Sequence, residues 1–217
     1  MATILRDWSY RYPWLYEAIA RLAALSVGGV ERFRDLPLQG LVIEPQTMVL
    51  DLCCGAGPVT RRLVARSQRV TGLDASPRAL ERARQQVPQA TYVEAFAEQT
   101  PFPDQQFDLV HTSVALHEMA PEQRRRILQE VYRILKPGGV LALVDFHPPT
   151  WPWLWPGLAL FLWLFETKTA WELLGTDLRQ ELQAVGFGPC DRQLHAGGSL
   201  QVLQAWKGPQ QPGRIPA

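Results

Sequence analysis

Short apolar runs recur along the chain from residue 47 onward, and amphipathic stretches separate them. Met48 to Cys53, Arg69 to Leu73, Thr91 to Glu94, Phe107 to Ser113 and Val140 to Phe146 read as strands, since runs of this length suit a sheet covered on both faces. Between them, apolar positions return at helical spacing near Val59 to Ala65, Arg78 to Gln86 and Pro121 to Leu135. The last of these is expected to stop at Lys136-Pro137-Gly138-Gly139, where a proline and paired glycines break a helix. Thr176 to Val185 reads as a further helix, and Gly186 to Ala205 as two strands joined through Gly197 and Gly198. Strands that alternate with helices and end in a hairpin predict an α/β fold, a doubly wound and mostly parallel sheet of seven strands. Ligands of such sheets lie beyond the carboxyl ends of the strands.

Ahead of the first strand, Leu15, Ile19, Leu22, Leu25 and Val30 keep helical spacing between Trp14 and Leu36, interrupted at Gly28 and Gly29. This predicts an N-terminal helical cap. The tail after Trp206, GPQQPGRIPA, has no apolar periodicity and is expected to be disordered. Residues 1–206 are therefore taken as one domain, with 207–217 as its tail. Within it lie a cap (1–40), a core at whose strand ends a cofactor would bind (41–150), an apolar segment (151–175), and a C-terminal helix with its hairpin (176–206).

With 22 Lys and Arg against 21 Asp and Glu in 217 residues, the chain has no overall field to attract a nucleic acid backbone. Cys53 and Cys54 are adjacent and Cys190 is remote, a pattern that supports neither a disulfide framework nor a metal site. The first residues, MATILRDWSYRYPW, lack the basic stretch and apolar run of a secretory signal. A cytoplasmic location is expected.

The chemistry begins with Asp51-Leu52-Cys53-Cys54-Gly55-Ala56-Gly57, where glycines after a strand let the backbone turn and approach a ligand. Asp74, at the end of the second strand, is placed where a carboxylate grips a ribose diol. Together they indicate a nucleoside. Thr60 occupies the position where a dinucleotide binder needs Gly or Ala for close helix packing, which weakens a nicotinamide reading and with it a dehydrogenase.

The Thr100-Pro101-Phe102-Pro103-Asp104 stretch before the fourth strand and Leu135-Lys136-Pro137-Gly138-Gly139 before the fifth, taken in order with the two earlier motifs, resemble the class I S-adenosylmethionine-dependent methyltransferases. The resemblance covers residues 40 to 150 most closely. It implies that Asp51, Gly55 and Gly57 lie along the methionine part of S-adenosylmethionine and that Asp74 holds the ribose, with Ala75 and Ser113 completing the cofactor set. Where the family often has an Asp for the adenine amino group, this chain has Phe96, which would stack on adenine while the Ala97 N–H meets a ring nitrogen; Glu98 is the nearby carboxylate.

His117 and His147 each follow a strand on the same edge and are the candidate general bases. For both, bonding to a loop carbonyl is the competing reading, and His195 in the hairpin is weaker. The entry segment from Tyr16 to Arg34, with Leu-Asp-Leu-Cys-Cys-Gly, His-Thr-Ser-Val-Ala-Leu-His-Glu-Met and His-Ala-Gly-Gly-Ser-Leu-Gln-Val, is similar to the ubiquinone and menaquinone methyltransferases, and within them to the demethylphylloquinone type. This implies carbon methylation of a reduced, prenylated naphthoquinone; His117 is the first candidate for the base, and removal of the phenolic proton to water is the competing account.

The segment from Trp151 to Phe165 is almost wholly apolar and carries four tryptophans. It is too short to span a bilayer, which takes roughly 20 apolar residues, while its tryptophans suit a lipid–water interface. Peripheral membrane contact and a buried lid or dimer contact both remain open, and either goes with a lipophilic acceptor. An O- or N-methyltransferase of another apolar molecule, and a cofactor-binding partner protein without turnover, are the alternative functions.

Overall fold

The computed structural model describes residues 24–208. The expected helix from Trp14 lies largely outside them; within them, a turn at residues 26–28 and Gly29 precede α1 (Val30–Asp35). The tail from residue 209 also lies outside.

The strands are β1 (Met48–Leu52), β2 (Arg69–Asp74), β3 (Thr91–Glu94), β4 (Phe107–Ser113), β5 (Leu135–Phe146), β6 (Cys190–His195) and β7 (Leu200–Trp206). The helices after α1 are α2 (Thr60–Val64), α3 (Pro77–Gln86), α4 (Pro121–Ile134), α5 (Trp155–Phe165), α6 (Lys168–Leu174) and α7 (Leu178–Val185). All seven strands form one sheet in the order β3-β2-β1-β4-β5-β7-β6. The first five are parallel, and β7 runs antiparallel to both β5 and β6. The chain winds outward from β1 to β3 and then returns to β4 on the other side of β1. Loops leaving the carboxyl ends of β1 and β4 therefore part in opposite directions, and the gap between them is the crevice of a doubly wound sheet.

Alternation along the strands divides the core. Leu50, Leu52, Val110, Leu141 and Leu143 face Ile127, Leu128 and Val131 of α4 and Leu178 and Leu182 of α7. Val49, Val70, Leu109, Val140 and Ala142 face the opposite way, onto Leu38 and Leu63. Since side chains alternate along a strand, Asp51 and His111 share the second face with Val49 and Leu109.

The helix before Lys136-Pro137-Gly138-Gly139 stops within one residue of the expected place, but the strand that follows starts at Leu135 and not at Val140. Helix α4 ends at Ile134, and β5 begins at once with Leu135, so the Pro-Gly-Gly stretch lies in the irregular first part of that strand. Two contacts explain the sequence there. The Lys136 ammonium lies 2.7 Å from the buried carboxylate of Asp108, and a Cβ on Gly139 would stand 2.9 Å from the Lys136 carbonyl and 3.1 Å from that of Asp108. Glycine is needed for close backbone approach, and the register shift between Phe107 and Leu109 falls at the same place.

Candidate active site

The loop after β1 closes on itself through Gly57 N donating to the Cys54 carbonyl at 3.0 Å, and Cys54 N donates to the Leu73 carbonyl of β2. Gly55 adopts φ +55°, and a Cβ built there meets no atom within 4 Å. Open space thus lies over the loop where a ligand would approach. Gly55 N donates to Asp74 Oδ2 at 2.8 Å, while Asp74 Oδ1 accepts from Ser76 N at 2.9 Å. Ser76 in turn caps α3 by accepting from Ala79 N, with Pro77 in the first turn. Asp74 therefore fastens the glycine loop to the start of the next helix.

Asp51 is buried one strand position before this loop. Its Oδ2 accepts from Thr60 Oγ1 at 2.6 Å and its Oδ1 meets His111 Nδ1 at 2.8 Å. Both side-chain oxygens of Asp51 are thus held, by Thr60 of α2 and His111 of β4, at the strand end from which the glycine loop leaves. His111 was missed. Its signal was register, since His111 and Asp51 are cross-strand partners in the β1–β4 ladder.

Cys53 lies half-buried between these elements, and burial with the charges of Asp74, Asp51, Glu118 and Glu98 pushes its thiol up to about 12. Each of those charges is negative. Such a field favours a cationic ligand and opposes a pyrophosphate. Ala75 is exposed beside Asp74, Ser113 is half-buried at the end of β4, Phe96 is 66% exposed beyond β3, and Ala97 is buried beneath it. Asp51, Gly55, Gly57, Asp74, Ala75 and Ser113 thus gather at the carboxyl ends of β1, β2 and β4, with Phe96 and Ala97 following β3.

The two candidate histidines differ. His147 Nδ1 meets the Gly198 carbonyl at 2.9 Å, and its backbone N donates to Ser199, so it ties β5 to the hairpin turn and fits the loop-carbonyl reading. His117 sits buried in the 3-10 turn Leu116–Glu118 after β4. Its Nδ1 lies 2.9 Å from Asp145 Oδ1, and its Nε2 lies 3.4 Å from Glu166 Oε2. Burial alone would favour the neutral ring; the charge and hydrogen bond of Asp145, with those of Glu166, overcome it and push the imidazole up to about 10. Ligating atoms of His117, Glu118 and Glu166 fall within 4.8 Å of one another. With a carboxylate at each nitrogen, the His117 ring is placed between Asp145 and Glu166.

Residues 49–139 match the family model described as a methyltransferase domain. The chain is 58% identical over 206 residues to an uncharacterized methyltransferase of Synechocystis sp., covering 94% of this chain and 97% of that one. The chain belongs to the class I S-adenosylmethionine-dependent methyltransferases. It is also 34% identical over 134 residues to 2-phytyl-1,4-naphtoquinone methyltransferase of Nostoc sp., over 58% of each chain. Among solved structures, phosphoethanolamine N-methyltransferase 2 of Haemonchus contortus, in complex with S-adenosyl-L-methionine, superposes with a TM-score of 0.68 at 16% identity. That match covers 96% of this methyltransferase and 61% of the nematode chain, and at such identity the likeness is one of fold.

Outside the cofactor crevice, α5 packs its inner side through Leu162, which is fully buried with Ala170 and Leu174 of α6, and through Phe161 against Phe146. Trp163 (67%) and Leu160 on α5 are exposed, as are Trp153 (71%) and Trp151 on the turn before it. Among the described residues no helix is long and apolar enough to cross a membrane.

Proposed function

We propose that this methyltransferase transfers the methyl group of S-adenosylmethionine to a ring carbon of a reduced, prenylated naphthoquinone. The single observation that carries the cofactor half is the open, acidic space over Gly55, bounded by Asp74. In this reading Asp74 exchanges its bond to Gly55 for the ribose hydroxyls, Gly55 and Gly57 let the backbone approach the methionine part, and Asp51 keeps that loop in place from behind. Ala75 and Ser113 border the nucleoside and methionine ends, the exposed face of Phe96 takes the adenine ring, and the Ala97 N–H takes one of its nitrogens. Bound there, S-adenosylmethionine supplies an electrophilic methyl group on a sulfonium whose positive charge suits the surrounding carboxylates.

The acceptor half is supported by likeness to the phytyl-naphthoquinone relative and by the aromatic rings beside His117. Phe146 stacks at 4.6 Å from the His117 ring and Phe161 lies at 6.0 Å from Phe146, giving an aromatic wall between β5 and α5. A lipophilic ring suits it. Exposed tryptophans occur on α5 and on the turn before it, and in this reading a prenyl tail remains in lipid while its ring reaches the crevice. Peripheral membrane contact is part of the proposal.

The test is methyl transfer from labelled S-adenosylmethionine to reduced demethylated phytyl-naphthoquinone in detergent, followed by mass analysis of the product. A new ring methyl group is the expected result. Methylation on oxygen, or label that binds and never transfers, would replace the carbon-methylation reading with an O-methyltransferase or a binding protein.

A further inference from the structure

Two carboxylates flank the His117 imidazolium, and they differ in what they have left to do. Asp145 is 1% exposed and its oxygens accept from Leu116 N, His117 N, the His117 ring and Phe146 N. It is saturated and out of reach. Glu166 keeps 12% of its side chain exposed, and it meets His117 through one oxygen at the longer distance of 3.4 Å. A carboxylate offers about four lone-pair positions, so Glu166 retains capacity to accept a proton from a ligand.

Its position is also set by the fold. Glu166 is the first residue after α5, and its backbone N donates to the Leu162 carbonyl at 2.9 Å. Leu162 is the residue that seats α5 on α6. The place of the carboxylate against His117 is thus set by the packing of α5 on α6. Of the other charged groups nearby, Glu118 shares the turn with His117, and Lys168 turns outward to pair with Glu172.

Resting on the quinol reading above, we propose that Glu166 is the catalytic residue that takes the acceptor's hydroxyl proton, with His117 and Asp145 as positioning residues behind it. The O–H bond breaks, its electron pair stays on the quinol oxygen and spreads to the ring carbon, and the proton moves to the free oxygen of Glu166. The carbon forms its bond to the methyl group as the S–CH3 pair returns to sulfur. The ring C–H proton then leaves to water, and Glu166 returns its proton to the oxygen. The sum is one methyl gained by the ring and one proton released.

The test compares wild type with Glu166→Gln, which keeps an oxygen for His117, using reduced demethylated phytyl-naphthoquinone. The turnover number should fall by roughly 10² or more, with S-adenosylmethionine affinity unchanged. A ring-halogenated analogue whose hydroxyl is already ionised at the assay pH should be methylated at nearly the wild-type rate by the variant, a rescue that a merely structural role would not give. Wild-type turnover of the quinol with the variant within twofold of it overturns the assignment of Glu166 alone. Failure of the wild type on the quinol overturns the acceptor reading and this assignment with it. Should the variant not fold, Glu166→Asp decides: it keeps the charge but withdraws the carboxylate by one methylene, so a turnover loss that the ionised analogue rescues supports Glu166, and wild-type turnover of the quinol overturns it.

Discussion

His111 Nδ1 lies 2.8 Å from Asp51 Oδ1 across the β1–β4 pair, with both side chains almost wholly buried. The contact spans the point where the strand order reverses, so it fixes the two strand ends that bound the crevice. Thr60 holds the other Asp51 oxygen and joins α2 to the same point. Replacing His111 with Leu would leave a buried carboxylate with one partner fewer, at a cost of about 2 kcal/mol. Urea unfolding should register that loss. S-adenosylmethionine affinity should fall only a few-fold, because Asp51 acts from behind the loop; affinity abolished in a folded variant would show that the pair touches the ligand.

Asp74 has a different part, since both its oxygens sit at the mouth of the crevice. Asp74→Ala removes two backbone bonds to a charged acceptor and the grip proposed for the ribose. Bonds to charged groups contribute about 1.5–3 kcal/mol each, and each 1.4 kcal/mol is about tenfold in affinity. S-adenosylmethionine binding measured by calorimetry should weaken by at least about tenfold. Unchanged affinity would move the ribose elsewhere.

The imidazolium of His117 makes stability depend on pH. Its folded value of about 10 stands above the ordinary 6.5, so its contribution is fully present below pH 6.5 and is lost as pH rises from there through about 10. The buried thiols act in the same direction, but only from their ordinary 9.0 upward, because burial raises Cys53, Cys54 and Cys190. Unfolding free energy measured by urea between about pH 6.5 and 8.5 should therefore decline mainly through His117, and the decline should flatten in His117→Gln. Equal slopes for the two proteins would contradict the charged ring.

Helix α4 carries a charge that periodicity did not single out. Arg124 is fully buried, forms two bonds to Glu181 of α7 at 2.8 and 2.9 Å, and reaches Thr176. Arg124→Ala should destabilise by roughly 3 kcal/mol, detected as a lower urea midpoint, while leaving methyl transfer in the remaining folded protein unaltered. Its neighbours Arg125 and Arg126 are exposed, and one arginine among three has no sequence mark of burial. That is the general boundary of what could be read. Strands β1 to β4 and the glycine loop carry local signals, in apolar runs and in the spacing of Gly55, Gly57 and Asp74, and were legible. Lys136 to Gly139 was legible as a helix stop; that it opens β5 was not, because its constraint, the approach to Asp108, is remote in sequence. His117 was legible as a residue, but its partners were not, since Asp145 and Glu166 lie 28 and 49 positions away.

Exposed tryptophans set the last prediction. Trp153 and Trp163 are 71% and 67% exposed, on the turn before α5 and on α5 itself, while Leu162 holds the helix from the other side. Replacing both with Gln therefore leaves the packed face intact. Each change removes on the order of 100 Å² of apolar surface that lipid would cover, about 2 kcal/mol at roughly 25 cal/mol per Å². Partitioning onto phospholipid vesicles, read by co-sedimentation, should fall more than about tenfold, and turnover of a vesicle-borne quinol should fall with it. Turnover of a short-tailed quinol in detergent should not change, because the crevice and Glu166 are untouched. If wild type and variant sediment alike, the exposed face serves another surface, and a concentration-dependent change in mass between the two proteins would identify that surface as a second copy of the chain.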